Sequence, residues 1–116
     1  MIYLQEVESQ GIALQESWAK DVPTLVWNKE FFVYPNINYK VSDENISAPY
    51  LTEQNGMFFK NAEEFDNKLP IFIKKLKYFT PGQFCRENLS IEKSTEIYAN
   101  IIKNIQLPWI KTKKNS

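Results

Sequence analysis

An α/β fold, with a partial parallel sheet of about three short strands flanked by helices and closed by two C-terminal helices, is predicted by three observations. The apolar runs at 2–4, 24–27 and 57–59 are too short for helices. They are also uninterrupted, as strands covered on both faces are. Stretches of helical period separate or follow them, and the last third of the chain has that period almost throughout.

Each element follows in order. Residues 2–4 read as a buried strand and 8–11 as the turn that leaves it. Residues 12–20 read as a helix, with Ala13, Trp18 and Ala19 available for packing. Asp21-Val22-Pro23 ends it, because proline disfavours a helical residue before it. Residues 24–27 then return as a strand, giving a strand-turn-helix-strand unit that requires a right-handed crossover. Such a unit is Rossmann-like, and open sheets of this kind bind ligands in the crevice outside the carboxyl ends of their strands. From 28 to 55 the chain is rich in Asn, Pro, Tyr and Ser without sustained period, which predicts a loop with room for one short strand near 31–34. Long loops of this kind are often functional. Asn55-Gly56 marks a turn into the strand at 57–59.

The helical part starts at Asn61-Ala62-Glu63-Glu64, which has capping-box form, and Phe65, Leu69, Phe72, Ile73 and Leu76 then share one face. Pro70 is expected to kink or split this helix. Thr80-Pro81-Gly82-Gln83 offers a second capping box for a short helix. A final helix is expected from about 90 to 105, burying Ile91, Thr95, Tyr98, Ile102 and Ile105. Leu107-Pro108-Trp109 should end the ordered part, leaving 109–116 as a flexible, solvated tail.

Composition bounds the function. At 116 residues, with 43% hydrophobic, 15% aromatic and 24% charged side chains, the chain fits one soluble globular domain with a small core. No apolar run approaches the length of a bilayer span, and the start lacks the features of a secretory signal, so a cytoplasmic location is expected. Cys85 stands alone and is read as a packing residue in a reducing compartment. Histidine is absent, which removes the usual general base and the commonest metal ligand. Fourteen basic and fourteen acidic side chains cancel, yet eleven acids face four lysines in residues 1–66 and three face ten bases in 67–116. That separation reads as two solvated faces of unlike sign. With zero net charge and no recognised module, nucleic-acid binding is not expected.

The most informative stretch is Glu8-Ser9-Gln10-Gly11-Ile12-Ala13-Leu14-Gln15-Glu16, two carboxylates eight positions apart around a small-residue helix start. A strand that delivers Glu8 to its carboxyl end, followed by a helix carrying Glu16, is expected to bring both acids to one crevice. Main-chain amides at the helix start would face the same crevice and favour an anionic group such as a diphosphate. Without further context the two acids are equally readable as solvated helix-end residues.

The run from Glu8 through Asn28 resembles the donor-site segment of the retaining GT-B glycosyltransferases often called group 1. That family carries Glu, seven residues and Glu, then a small-residue helix, a proline and a buried strand. Here Glu8 and Glu16 take the acidic positions, Gly11 the glycine, Ala13 and Ala19 the small ones, and Pro23 the residue before the strand. Asn55-Gly56-Met57-Phe58-Phe59 and Ser47-Ala48-Pro49-Tyr50-Leu51-Thr52 are also similar to segments of such enzymes, so the likeness covers nearly the whole chain. Ser9 and Gln10 depart from it, standing where the family commonly has glycine and an aromatic.

The resemblance implies that residues 1–108 form a partial nucleotide-sugar-binding domain. Glu8 would be the catalytic residue, contacting a hydroxyl of the transferred sugar, and Glu16 would accept hydrogen bonds from the ribose. Gly11, Ile12 and Ala13 would supply main-chain donors to the sugar or diphosphate. The nucleotide-sugar enters as co-substrate, with no other cofactor and no metal. The family's acceptor domain and first nucleotide-binding strands lie outside the matched segment, which implies work with an acceptor domain or a second chain, or a non-catalytic binding module derived from such an enzyme. A half-sheet with an unpaired edge also predicts self-association or docking. Tyr34, Tyr39 and Tyr50 are loop candidates for ligand contact, whereas Trp18, Trp27 and Trp109 are readable as core or as a sugar-stacking platform. Thr52 reads as a turn residue, and the lysine runs at 74–77 and 111–114 as ordinary solvated charge.

Overall fold

A computed structural model describes residues 1–105; Leu107, Trp109 and the expected tail lie outside the described residues. Three parallel strands, β1 (Ile2–Tyr3), β2 (Thr24–Trp27) and β5 (Gly56–Phe59), form one sheet in the order β1-β2-β5. Register sets Ile2 against Leu25 and Thr24 against Gly56. Between β2 and β5 the chain makes an antiparallel hairpin of β3 (Phe31–Tyr34) and β4 (Tyr39–Ser42), which forms its own two-stranded sheet. Among the described residues the helices are α1 (Ile12–Ala19), α2 (Ala62–Lys75), α3 (Pro81–Asn88) and α4 (Ile91–Asn104), with a 3-10 turn at Leu76–Tyr78. The predicted α/β class and three-stranded parallel sheet are therefore present, and β4 is an addition to what was expected.

Side chains alternate across the strands, so the sheet has two covered faces. On one, Val26 of β2 meets Leu14 and Trp18 of α1, Ala48, Leu51 and Phe84 of α3. Trp18 anchors that layer: its indole N–H donates to Thr24 Oγ1 at 3.0 Å, and Phe84 meets its ring edge-to-face at 5.9 Å. On the other face, Leu25 and Phe59 pack on Phe72 of α2, with Trp27, Phe65 and Leu69 partly buried around them. Trp18 is thus core, and Trp27 is half-buried with its N–H on the Lys60 carbonyl at 2.9 Å. Gly56 allows β5 to approach β2 closely, since a Cβ there would stand 2.1 Å from the Thr24 carbonyl oxygen.

The helix ends differ from the expected patterns. Asn61 caps α2 through its side chain, which accepts from Glu64 N–H at 2.9 Å, but the Glu64 carboxylate returns to Lys60 N–H rather than to Asn61. Pro70 does not split α2, which runs continuously from Ala62 to Lys75. Pro70 and Asp66, one turn earlier, are both exposed, so the carbonyl that loses its partner is open to water. The box expected at Thr80 and Gln83 is absent, as the Thr80 side chain caps nothing. Asp21 does that work from the far end of α1, its Oδ1 accepting Gly82 N–H at 2.9 Å.

The expected burial of the last helix does not occur. Ser90 caps α4 by accepting Lys93 N–H at 3.1 Å, yet Ile91, Thr95, Tyr98, Ile102 and Ile105 are all exposed, and Ile91 is 83% so. Ile73 and Leu76 of the expected α2 face are exposed too. The chain is correspondingly extended, with a radius of gyration of 19.1 Å where a compact domain of this length has about 13 Å. The two borders of the sheet also differ. Lys68 Nζ donates to the outward Phe58 carbonyl of β5 at 2.8 Å, whereas Ile2 on β1 is 50% exposed with no strand beyond it among the described residues.

Candidate functional site

Because the three strands run the same way, their carboxyl ends share one edge. The loop at 4–11 leaves β1 there, Asn28 follows β2, and Lys60 follows β5. Asn28 is 2% exposed and ties this edge together. Its N–H donates to the Phe59 carbonyl at 2.8 Å, its Oδ1 accepts Glu30 N–H at 2.9 Å, and its amide nitrogen donates to the Glu44 carbonyl. Ion pairs Lys29–Glu6 and Lys60–Glu30, both at 3.1 Å, bridge the same loops.

Glu8 sits half-buried on this edge, as the sequence predicts. Its N–H donates to the Ile46 carbonyl at 2.9 Å, which holds its loop against the segment following β4. The Tyr3 hydroxyl donates to Glu8 Oε1. Burial first, and then the Glu8 bond and charge, push the Tyr3 phenol up to about 12. The proton therefore stays on Tyr3, and Glu8 is the acceptor. Glu8 lines a depression of about 330 Å³ with Val41, Asp43, Asn45, Ile46 and Pro49.

Gly11 opens α1 in the left-handed region, at φ 70° and ψ 51°, with no side chain capping the helix. A side chain there would be strained by that backbone and would approach Leu14 Cδ1 to 3.2 Å, so glycine meets a geometric requirement. The Gly11 carbonyl accepts Gln15 N–H at 3.0 Å as the first helical bond. Ile12 and Ala13, both exposed, follow in the first turn. Glu8 and Gly11 thus lie on the loop at the carboxyl edge, and Ile12 and Ala13 begin the helix that leaves it.

Glu16 shares a face of α1 with Ile12 and does not line the Glu8 depression. It lies two residues from Leu14 and two from Trp18, the buried pair, and so stands on the opposite side of α1. There it is exposed and lines a separate depression of about 250 Å³ with Ile12, Gln15, Ala19, Cys85 and Leu89. The two depressions share no lining residue, so the expected convergence of both carboxylates on one pocket is absent from this structure. Cys85 is half-buried, its thiol pushed up by burial and 3.8 Å from the Gln15 carbonyl, which agrees with a packing role.

Comparison with family models, with curated proteins and with solved structures gives no match. The reading of this edge therefore rests on its own residues. No group of His, Cys, Asp and Glu among the described residues could hold a metal ion, and no described helix is long and apolar enough to cross a membrane.

Sequence reasoning missed three parts of the edge: the buried Asn28, the Asp43–Ile46 wall of the Glu8 depression, and β4. Asn28 left a trace, a polar residue closing an apolar strand. Tyr50 is exposed, with its main-chain carbonyl accepting from Asn55 Nδ2 at 3.2 Å, and Thr52 Oγ1 accepts Gln54 N–H at 3.3 Å, the turn role expected of it.

Proposed function

We propose that this chain is the donor-binding part of a nucleotide-sugar glycosyltransferase that retains anomeric configuration, completed by an acceptor domain or a second chain. The observation that carries the reading is the uncapped start of α1 at Gly11, on the carboxyl edge of a parallel sheet and on the same loop as Glu8. Free main-chain amides at a helix start are suited to a diphosphate. They stabilise charge that develops as the diphosphate departs. Glu8, an acceptor already oriented by Tyr3, grips a hydroxyl of the transferred sugar through charge-assisted bonds. Glu16, exposed on the outer side of α1, meets a ribose that lies across that helix.

Backbone NMR of the full chain titrated with a panel of nucleotide-sugars tests this. Shifts should centre on Gly11, Ile12 and Ala13. Glu16→Ala should weaken nucleotide binding, and Glu8→Ala should impair transfer in the reconstituted enzyme while leaving nucleotide binding intact. A panel that moves no resonance between residues 8 and 16 removes the assignment.

A non-catalytic interaction module derived from such an enzyme is the second reading. It is favoured by α4, none of whose residues is buried. Both readings include self-association or docking through the exposed apolar surface.

A further inference from the structure

One face of the hairpin leads into the Glu8 depression. Register pairs Phe32 with Val41 and Tyr34 with Tyr39, and alternation sets these four side chains on one face. Val41 is a wall of the Glu8 depression. From that wall the face runs outward through Phe32 and Tyr34, whose rings meet edge-to-face at 5.0 Å. It ends at Tyr39, whose ring lies 6.4 Å from that of Tyr34 at an angle of 34°. Tyr34 and Tyr39 are 43% and 59% exposed, and a two-stranded ribbon of this kind is marginal unless something covers it.

Charge narrows what that something is. Lys40 and Lys29 are occupied with the ring of Phe31, on the opposite face, at 4.7 and 5.1 Å. Among the described residues the aromatic face carries no cation, and its inner end opens onto Glu8 and Asp43. A polyanion would meet carboxylates with nothing to neutralise it. A sugar chain without charge fits: each pyranose has an apolar C–H face and a rim of hydroxyls, and tyrosine offers a flat apolar ring with a hydroxyl at its tip.

We infer that the Phe32-Tyr34-Tyr39 face is a glycan platform, binding a neutral glycan along the hairpin with one end at the Glu8 depression, where the completing acceptor domain or second chain would take over the rest of it. The inference rests on the glycosyl-transfer reading for the direction of the chain, and its binding half stands without it. Isotope-labelled full-length chain titrated with maltohexaose, cellohexaose and chitohexaose should show shifts confined to residues 31–42 and the Glu8 loop with at least one of them. Tyr34→Ala with Tyr39→Ala should weaken that binding about tenfold or more, the equivalent of about 1.4 kcal/mol. The double phenylalanine variant should keep most of it. The alanine pair should still bind nucleotide-sugar at Gly11 to Ala13. Silence with all three oligosaccharides overturns the platform. So do hairpin shifts that follow protein concentration rather than sugar, since they mark a contact between chains. Glycan shifts on the hairpin with no nucleotide-sugar response at the α1 start would support the platform and remove the donor reading.

Discussion

Helices α1 and α4 make opposite use of their sequences. The shorter, α1, has little separation of apolar from polar residues, yet Leu14 and Trp18 sit fully inside the core. The longer, α4, has a well-formed apolar stripe and buries nothing. An apolar stripe records that a helix needs a covering surface; it does not say that the surface belongs to the same chain. Connection decides for α1, which is held between two parallel strands that pair with each other. Among the described residues no such tether acts on α4, which follows α3 across a single turn.

Three variants test how deep that difference goes. The largest effect belongs to the α1 side: Trp18→Ala removes a buried ring and the bond to Thr24, and should cost about 3–5 kcal/mol in chemical denaturation. A loss under about 1 kcal/mol would mean that α1 does not organise the core. Tyr3, packed against the same cluster, gives an intermediate and pH-dependent effect. Its folded pKa of about 12 lies above the ordinary 10.0, so its contribution is full below pH 10 and fades as pH rises toward 12. Denaturation midpoints should fall across that window in the wild type and fall less in Tyr3→Phe. The smallest effect belongs to α4. Ile101→Ala with Ile102→Ala should change the stability of dilute protein by no more than about 0.5 kcal/mol per site, while light scattering shows weaker self-association. A loss of several kcal/mol from that pair would place α4 inside a core and erase the contrast.

The same contrast governs what could be read before the fold was known. The apolar runs located β1, β2 and β5 to within a residue because parallel strands covered on both faces must be apolar throughout. The second hairpin strand escaped, since Tyr-Lys-Val-Ser pairs with β3 in a separate ribbon held at its base by Asn28 and by the Asp43 N–H on the Glu30 carbonyl at 3.1 Å. The cap that Asp21 provides to α3 spans 61 positions and lies beyond any local pattern. At the site, Glu8 and Gly11 were legible because a strand end and a positive φ are local properties. The direction of Glu16 was not, because it depends on which side of α1 turns inward, and that follows from the pairing of Leu14 and Trp18 with Val26 and Phe84.

The ammonium of Lys68 has a consequence for assembly. A sheet equally open on both flanks would add one copy after another into a filament; here a cation on the outward Phe58 carbonyl obstructs the β5 flank. Among the described strands of this sheet the β1 flank is the more open, and two chains that meet there cover it in each other. Sheet pairing there closes as a pair rather than continuing as a filament.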